Sequence, residues 1–169
     1  RYPDANVSQW DDRARALLPS SYLAYPLVGR GERFPFAAAD AVGFCIPAVD
    51  DQLEQYAAGL QGTALVERLG YEVLNEVIDG GNSAIFSTGA ASRSNSWLQL
   101  RADVNGRPVC RAVHPDAAFG SAVLAAIHRG FSNVWEAGAA MVRIDHSFEP
   151  NPERRGAYDE LYGAFAHLL

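Results

Sequence analysis

Apolar residues recur at intervals of three and four through Leu53, Tyr56, Leu60, Ala64, Leu65, Leu69, Val73 and Val77, a stripe that predicts a long amphipathic helix over residues 50–78. Asp50 and Asp51 stand where its first turn needs a cap. Gly59, Gly62 and Gly70 interrupt the stripe, each costing up to ~1 kcal/mol against alanine, so another element is expected close to this backbone. Asp79-Gly80-Gly81-Asn82 breaks the pattern. A second strong helix is predicted over 116–130, apolar through Phe119, Val123, Leu124 and Ile127. Its other side carries Ala118, Gly120, Ser121 and Ala125, small enough for a backbone to pack on. Weaker helical spacing runs through Trp10, Ala14, Leu17 and Leu18, and again over 94–104, 133–142 and 151–168, the last with Pro152 in its first turn.

Between these lie short β-rich runs at 22–28, 84–88 and 109–113, with Pro26 placing the first near an edge or bend. Gly29-Arg-Gly-Glu-Arg-Phe-Pro35 follows the first run and reads as a loop, dense in glycine and charge. The order strand, long helix, strand, helix, strand, helix, helix fits an α/β domain with helices covering a mixed sheet.

Composition narrows the class. A chain of 169 residues that is 49% hydrophobic and 20% charged has the size and balance of one globular domain. All 14 basic residues are arginine, which removes a Walker A loop and lysine Schiff-base chemistry. The formal net charge of -6 argues against nucleic acid as a partner while leaving room for a small anionic ligand. Cys45 and Cys110 fall in no metal-binding pattern and read as reduced thiols of a cytoplasmic protein. The longest nearly apolar run, 117–127, is about 11 residues, short of the ~20 that span a bilayer, so no membrane is expected. The chain begins at Arg1 rather than methionine, which suggests a piece of something longer.

Candidate chemistry concentrates at Ser87-Thr-Gly-Ala-Ala-Ser-Arg-Ser-Asn-Ser-Trp97, a strand running through a small-residue turn into a helix. Such a junction presents backbone N–H groups, and the absence of bulk at Gly89 and Ala90 lets a flat or anionic ligand reach the main chain. The pattern alone also fits a plain tight βα connection. Arg30, Glu32 and Arg33 form a second candidate, either a solvated loop or a binder of phosphate or sugar hydroxyls. His114, His128, His146 and His167 show no catalytic or metal-ligand spacing. Asp103, Asp116 and Asp145 stand at positions suited to helix caps.

Several runs match a known family in order. Thr88-Gly-Ala-Ala-Ser-Arg-Ser-Asn-Ser-Trp-Leu-Gln-Leu-Arg-Ala-Asp-Val-Asn-Gly-Arg-Pro-Val109 resembles the pattern GGG-x-[RK]-S-x-x-W-x-Q-x-x-AD-x-x-G-x-PV of the C-terminal domain of FGGY carbohydrate kinases. Tyr25-Pro-Leu-Val-Gly-Arg-Gly-Glu-Arg-Phe-Pro35 is similar to its YLSGERxP loop. The run from Tyr56 to Arg68 is similar to its A-x-LEG-x-AF-x-x-R helix, that from Asp116 to Ala126 to EAALGAAxLAA, and that from Tyr158 to Tyr162 to YxxLYxxY.

The resemblance implies an actin-like, ribonuclease-H-like fold and an ATP-dependent sugar kinase that uses Mg²⁺. Residues 1–169 would be part of its C-terminal, nucleotide-side domain. It places adenine and ribose against Gly89, Ala90 and Ala91, with Ser94 opening the next helix. Two alanines stand where the family often has glycines, each adding a methyl group and restricting φ. The catalytic aspartate, the phosphate hairpin and the sugar-binding N-terminal lobe would all lie upstream, so this chain should be inactive alone. The expected partners are ATP, a small sugar with a ketopentose favoured by the GRGERFPF variant, that upstream lobe, and a second copy in a homodimer. The alternative is a kinase-like regulator that binds nucleotide or sugar and has lost catalysis.

Overall fold

The computed structural model describes residues 6–34, 36–78 and 83–169. In chain order these form α1 (Val7–Arg15), β1 (Leu23–Glu32), β2 (Ala38–Ile46), α2 (Gln52–Val77), β3 (Ile85–Ser87), a 3-10 turn (Ala90–Arg93) and α3 (Asn95–Asn105). β4 (Val109–Ala112), α4 (Ala117–Ala126) with a 3-10 tail, α5 (Val134–Met141), β5 (Ile144–Phe148) and α6 (Pro152–Ala166) follow. β1 and β2 pair as an antiparallel hairpin. A second sheet has the order β3-β4-β5, the first pair parallel and the second antiparallel. The expected α/β layering holds, with helices packed on a mixed sheet.

Three expectations need correction. β2 and β5 are strands that no apolar alternation announced. The segment after Val28 is not a loop up to residue 35, because β1 continues through Glu32. Gly29 and Gly31 sit at φ 103 and φ 92, and the pairing register shifts between Tyr25 and Glu32, so glycine lets the strand absorb irregularities without ending. Pro35, the break at Asp79-Gly80-Gly81-Asn82 and Arg1 lie outside the described residues. Asp103 caps no helix of its own: it is 1% exposed, accepts from the Gln99 side chain and the Asn151 backbone N–H, and lies 3.6 Å from Arg154. It therefore ties α3 to the start of α6. Asp145 sits on β5 and pairs with Arg111. Asp116 does occupy the N-cap of α4, but its side chain makes no capping bond there and lies 3.6 Å from Arg93.

α2 is the spine. Asp51 caps it, accepting from the N–H groups of Leu53 and Glu54 at 2.9 Å each. Two of its glycines mark close approaches: a Cβ on Gly62 would fall 1.9 Å from the Ala24 carbonyl oxygen, and one on Gly70 would fall 2.6 Å from the Phe34 ring. Gly59 faces open space. The main core lies between α1, α2, α3, α6 and the hairpin, with Leu65, Tyr158 and Phe165 fully buried and Tyr25 packed on Phe44 and Phe165. A second cluster, Ile85, Leu98, Ala102, Val109 and Phe148, seals α3 onto one face of the three-stranded sheet.

The other face is less covered. Phe86 is 67% exposed beside an apolar hollow of about 430 Å³ bounded by α4 and α5. Among the described residues no strand pairs with the outer edge of β3, and Ala118, Gly120, Ser121 and Ala125 of α4 stay exposed with no backbone packed on them. No helix of the described residues is long and apolar enough to cross a membrane.

Candidate functional site

β3 ends at Ser87, whose hydroxyl oxygen accepts a 2.6 Å bond from Arg101 Nη1. Two residues on, the chain reverses at Gly89, φ 85 and ψ -174, in a region that only glycine enters readily. Its N–H donates to the Pro115 carbonyl at 2.6 Å. The Ser92 hydroxyl and N–H both return to the Gly89 carbonyl, at 2.6 and 3.2 Å. Ser94 then caps α3, accepting from the Trp97 N–H at 3.2 Å. No described residue other than glycine has positive φ. The methyl groups of Ala90 and Ala91 thus add no backbone strain, while the one position that requires glycine keeps it.

Three of the expected site residues line one hollow. Ala90, Ala91 and Ser94 line an open groove of about 500 Å³ with Trp97 and Arg93, Tyr56 and Leu60 of α2, and Val7 and Asp11 of α1. Gly89 stands at the head of the same turn, and a Cβ there would meet nothing within 4 Å, so the main chain is open to approach. Such a volume falls within the ~300–1,000 Å³ of small-molecule sites, and its apolar walls with a few polar groups suit a flat heterocycle. The far wall is fixed by polar links. The Tyr56 hydroxyl donates to Asp11 at 2.6 Å, the Ser96 hydroxyl donates to Asp12 at 2.8 Å, and the Trp10 ring meets Tyr56 edge-on. Asp11, Tyr56 and Trp97 were not among the expected site residues. Nothing in the sequence marks Asp11, which lies some eighty positions from the turn it faces.

Arg30, Glu32 and Arg33 do not line this groove. They belong to the β1–β2 hairpin, where Glu32 is a structural knot: it accepts from the Tyr25 hydroxyl at 2.5 Å and from the N–H groups of Arg33 and Phe34. Those bonds, that from Tyr25 first, hold the Glu32 carboxyl below its usual range. Arg30 lies 3.5 Å from Asp40, and Arg33 is exposed. The histidines carry local contacts: His114 meets Phe119, His146 meets Phe148, and His167 shares a hydrogen bond with the Gly163 carbonyl. Among the described residues no three His, Cys, Asp or Glu side chains converge.

Comparison with known proteins agrees with the motif order. The family model for the C-terminal domain of the FGGY family of carbohydrate kinases matches residues 3–129, three quarters of the chain. A xylulose kinase of Staphylococcus epidermidis is 28% identical over 159 residues, covering 90% of this chain and 30% of that protein. An autoinducer-2 kinase of Escherichia coli is 26% identical over 156 residues, covering 89% and 29%. Among solved structures, the xylulose kinase of Rhodospirillum rubrum superposes with a TM-score of 0.76 at 26% identity, covering 98% of this chain and 34% of that one. The chain thus spans about 30% of the length of the curated relatives it matches, and its fold is part of the C-terminal lobe of the actin-like kinases. By the family match, the motif order and the shared fold, this chain belongs to the FGGY family of carbohydrate kinases, through that family's C-terminal domain.

Proposed function

We propose that the full-length protein is an ATP-dependent carbohydrate kinase that transfers the γ-phosphate to a hydroxyl of a sugar or polyol, and that this chain supplies the nucleotide side of its cleft. The observation that carries this reading is the groove in front of Gly89, Ala90, Ala91 and Ser94. Leu60, Trp97, Ala90, Ala91 and Ser94 are the residues that would hold the base there, with Gly89 leaving the head of the turn unscreened. When bound with ATP, Mg²⁺ would neutralise phosphate charge in such a transfer. Phosphoryl transfer requires both reactants held in line between two lobes, so this chain alone is inactive. A ketopentose is the favoured acceptor, supported by relatives named as xylulose kinases. Arg30 and Arg33, on the hairpin, are the residues of this chain offered to phosphate or sugar hydroxyls. Free thiols at Cys45 and Cys110 suit a cytoplasmic site of action.

The test is a panel of pentuloses and polyols offered with ATP to the full-length protein, alongside a thermal-shift titration with ATP alone. Phosphorylation of a ketopentose with stabilisation by ATP is the expected result. Stabilisation without turnover of any acceptor would instead assign the protein to the regulators, and no stabilisation would remove the nucleotide site.

A further inference from the structure

The turn that faces the groove is gripped from behind by a residue of β4 that does not line it. Arg111 touches three elements at once. Its Nε and Nη2 lie 2.8 and 2.7 Å from Asp145 Oδ2 on β5. Its Nη1 donates to Asn95 Oδ1, at the first residue of α3, at 2.8 Å, and to the Ser92 carbonyl of the 3-10 turn at 3.4 Å. The guanidinium carbon stands 5.7 Å from the centre of the Phe148 ring, and the side chain is only 19% exposed.

Ser92 and Asn95 bracket Arg93 and Ser94, two residues that line the groove. Ser92 also passes the grip on, because its hydroxyl and N–H hold the Gly89 carbonyl. Pairing with Asp145 and stacking on Phe148 would suffice to close the sheet. The third arm, Nη1, fastens the junction between the 3-10 turn and α3, where one helix geometry gives way to another. A planar fork reaches both sides at once, whereas a lysine ammonium, a single point donor, does not.

We infer that Arg111 is a positioning residue for the nucleotide: without touching it, Arg111 holds the Gly89–Ser94 main chain at the height at which the base and ribose meet it. This rests on the groove being the nucleotide site. The sheet side of the turn has its own anchors in Arg101 to Ser87 and Gly89 to Pro115, so losing Arg111 frees chiefly the α3 end.

The experiment uses the full-length protein and reads ATP affinity by thermal-shift titration, with the unliganded melting temperature and the KM for sugar as companions. Arg111→Lys keeps a cation for Asp145 and loses the fork; Asn95→Ala, at an exposed position, removes the same grip from the other side. Each is expected to weaken ATP binding about five- to tenfold, less than the full worth of one charge-assisted bond because the loss acts through the turn, and the double variant to fall short of the product of the two. The melting temperature without ATP and the KM for sugar stay near the parent's. Ala90→Leu, which fills the groove, is the control. If it weakens ATP binding while Arg111→Lys and Asn95→Ala leave it unchanged, the inference is overturned and the groove reading stands. If none of the three alters ATP binding, the groove reading falls and takes this inference with it. A drop in melting temperature and in both affinities together would make Arg111 merely structural and also overturn it. Should Arg111→Lys fail to fold, Asn95→Ala decides.

Discussion

Gln61 holds Ser20 by both ends of its side-chain amide. Its Oε1 accepts from the Ser20 N–H at 2.8 Å, and its Nε2 donates to the Ser20 carbonyl at 2.9 Å and to the Tyr22 carbonyl at 3.1 Å. The side chain is fully buried, so the middle of α2 is fastened to the entry of β1 in a site closed to water. Gln61→Glu keeps the acceptor and removes the donor, leaving a buried charge opposite two carbonyls. It is expected to cost about 3 kcal/mol at neutral pH. The buried carboxyl titrates above its unfolded value of about 4.3, so its stability is highest below that value and is lost as pH rises through the folded one. Urea midpoints near pH 4 and pH 7 should show the variant closer to the parent at the acid end.

Arg101 and Glu67 offer a harsher case. Their side chains are 11% and 23% exposed. Arg101 Nη2 and Nε meet both oxygens of Glu67, whose second oxygen also accepts from Asn105. Glu67→Ala strands the guanidinium and should cost about 3–5 kcal/mol, whereas replacing both residues by methionine should recover most of that loss. Chemical denaturation of the three variants gives the comparison directly.

The glycines of α2 make opposite predictions at neighbouring turns. Gly59→Ala meets no neighbour within 4 Å and should stabilise by about 0.5–1 kcal/mol through helix propensity. Gly62→Ala drives its methyl into the Ala24 carbonyl, 1.9 Å away, and should push α2 off β1 at a cost of several times that. Melting temperatures moving in the same direction would contradict the packing described above.

Tyr158 is one of three buried tyrosines that shape the alkaline limit. Burial, with the nearby Asp103 charge adding to it, pushes its hydroxyl up to about 12; burial also raises Tyr25 and Tyr162. An unfolded tyrosine ionises near 10. The folded state favours the neutral phenol, so this stability is fully present below about pH 10 and is lost as pH climbs through the folded value. The described ion pairs all use arginine, which stays charged across that window. Tyr158→Phe should therefore flatten the loss of stability between about pH 10 and pH 12, measured by denaturant midpoints.

The long helices were legible because α2 repeats its apolar residues with the helical period and ends against turn formers. β2 and β5 were not: Ala38–Ile46 is rich in small residues, and Ile144–Phe148 buries only Phe148, so neither shows the alternation of a half-buried strand. Pairing with β1 and β4 makes them strands. The hairpin misled for a different reason, since Gly29 and Gly31 signal a break in sequence and act as bulges in space. At the site, the turn could be read from its small residues and its place between strand and helix. Asp11 and Arg111 could not, because what they do depends on α1 and β4 arriving beside that turn from distant parts of the chain.

The bare edge of β3 bears on how this polypeptide behaves in a tube. With Phe86 two-thirds exposed and no described strand on its outer side, the sheet presents an edge next to an apolar hollow, a template for strand addition. Produced by itself, the 169-residue chain should scatter light more steeply than in proportion to its concentration, and mild denaturant or a charged residue in place of Phe86 should clear the solution. Ligand measurements on the 169-residue chain by itself would record self-association first, which is why the nucleotide experiments above use the full-length protein.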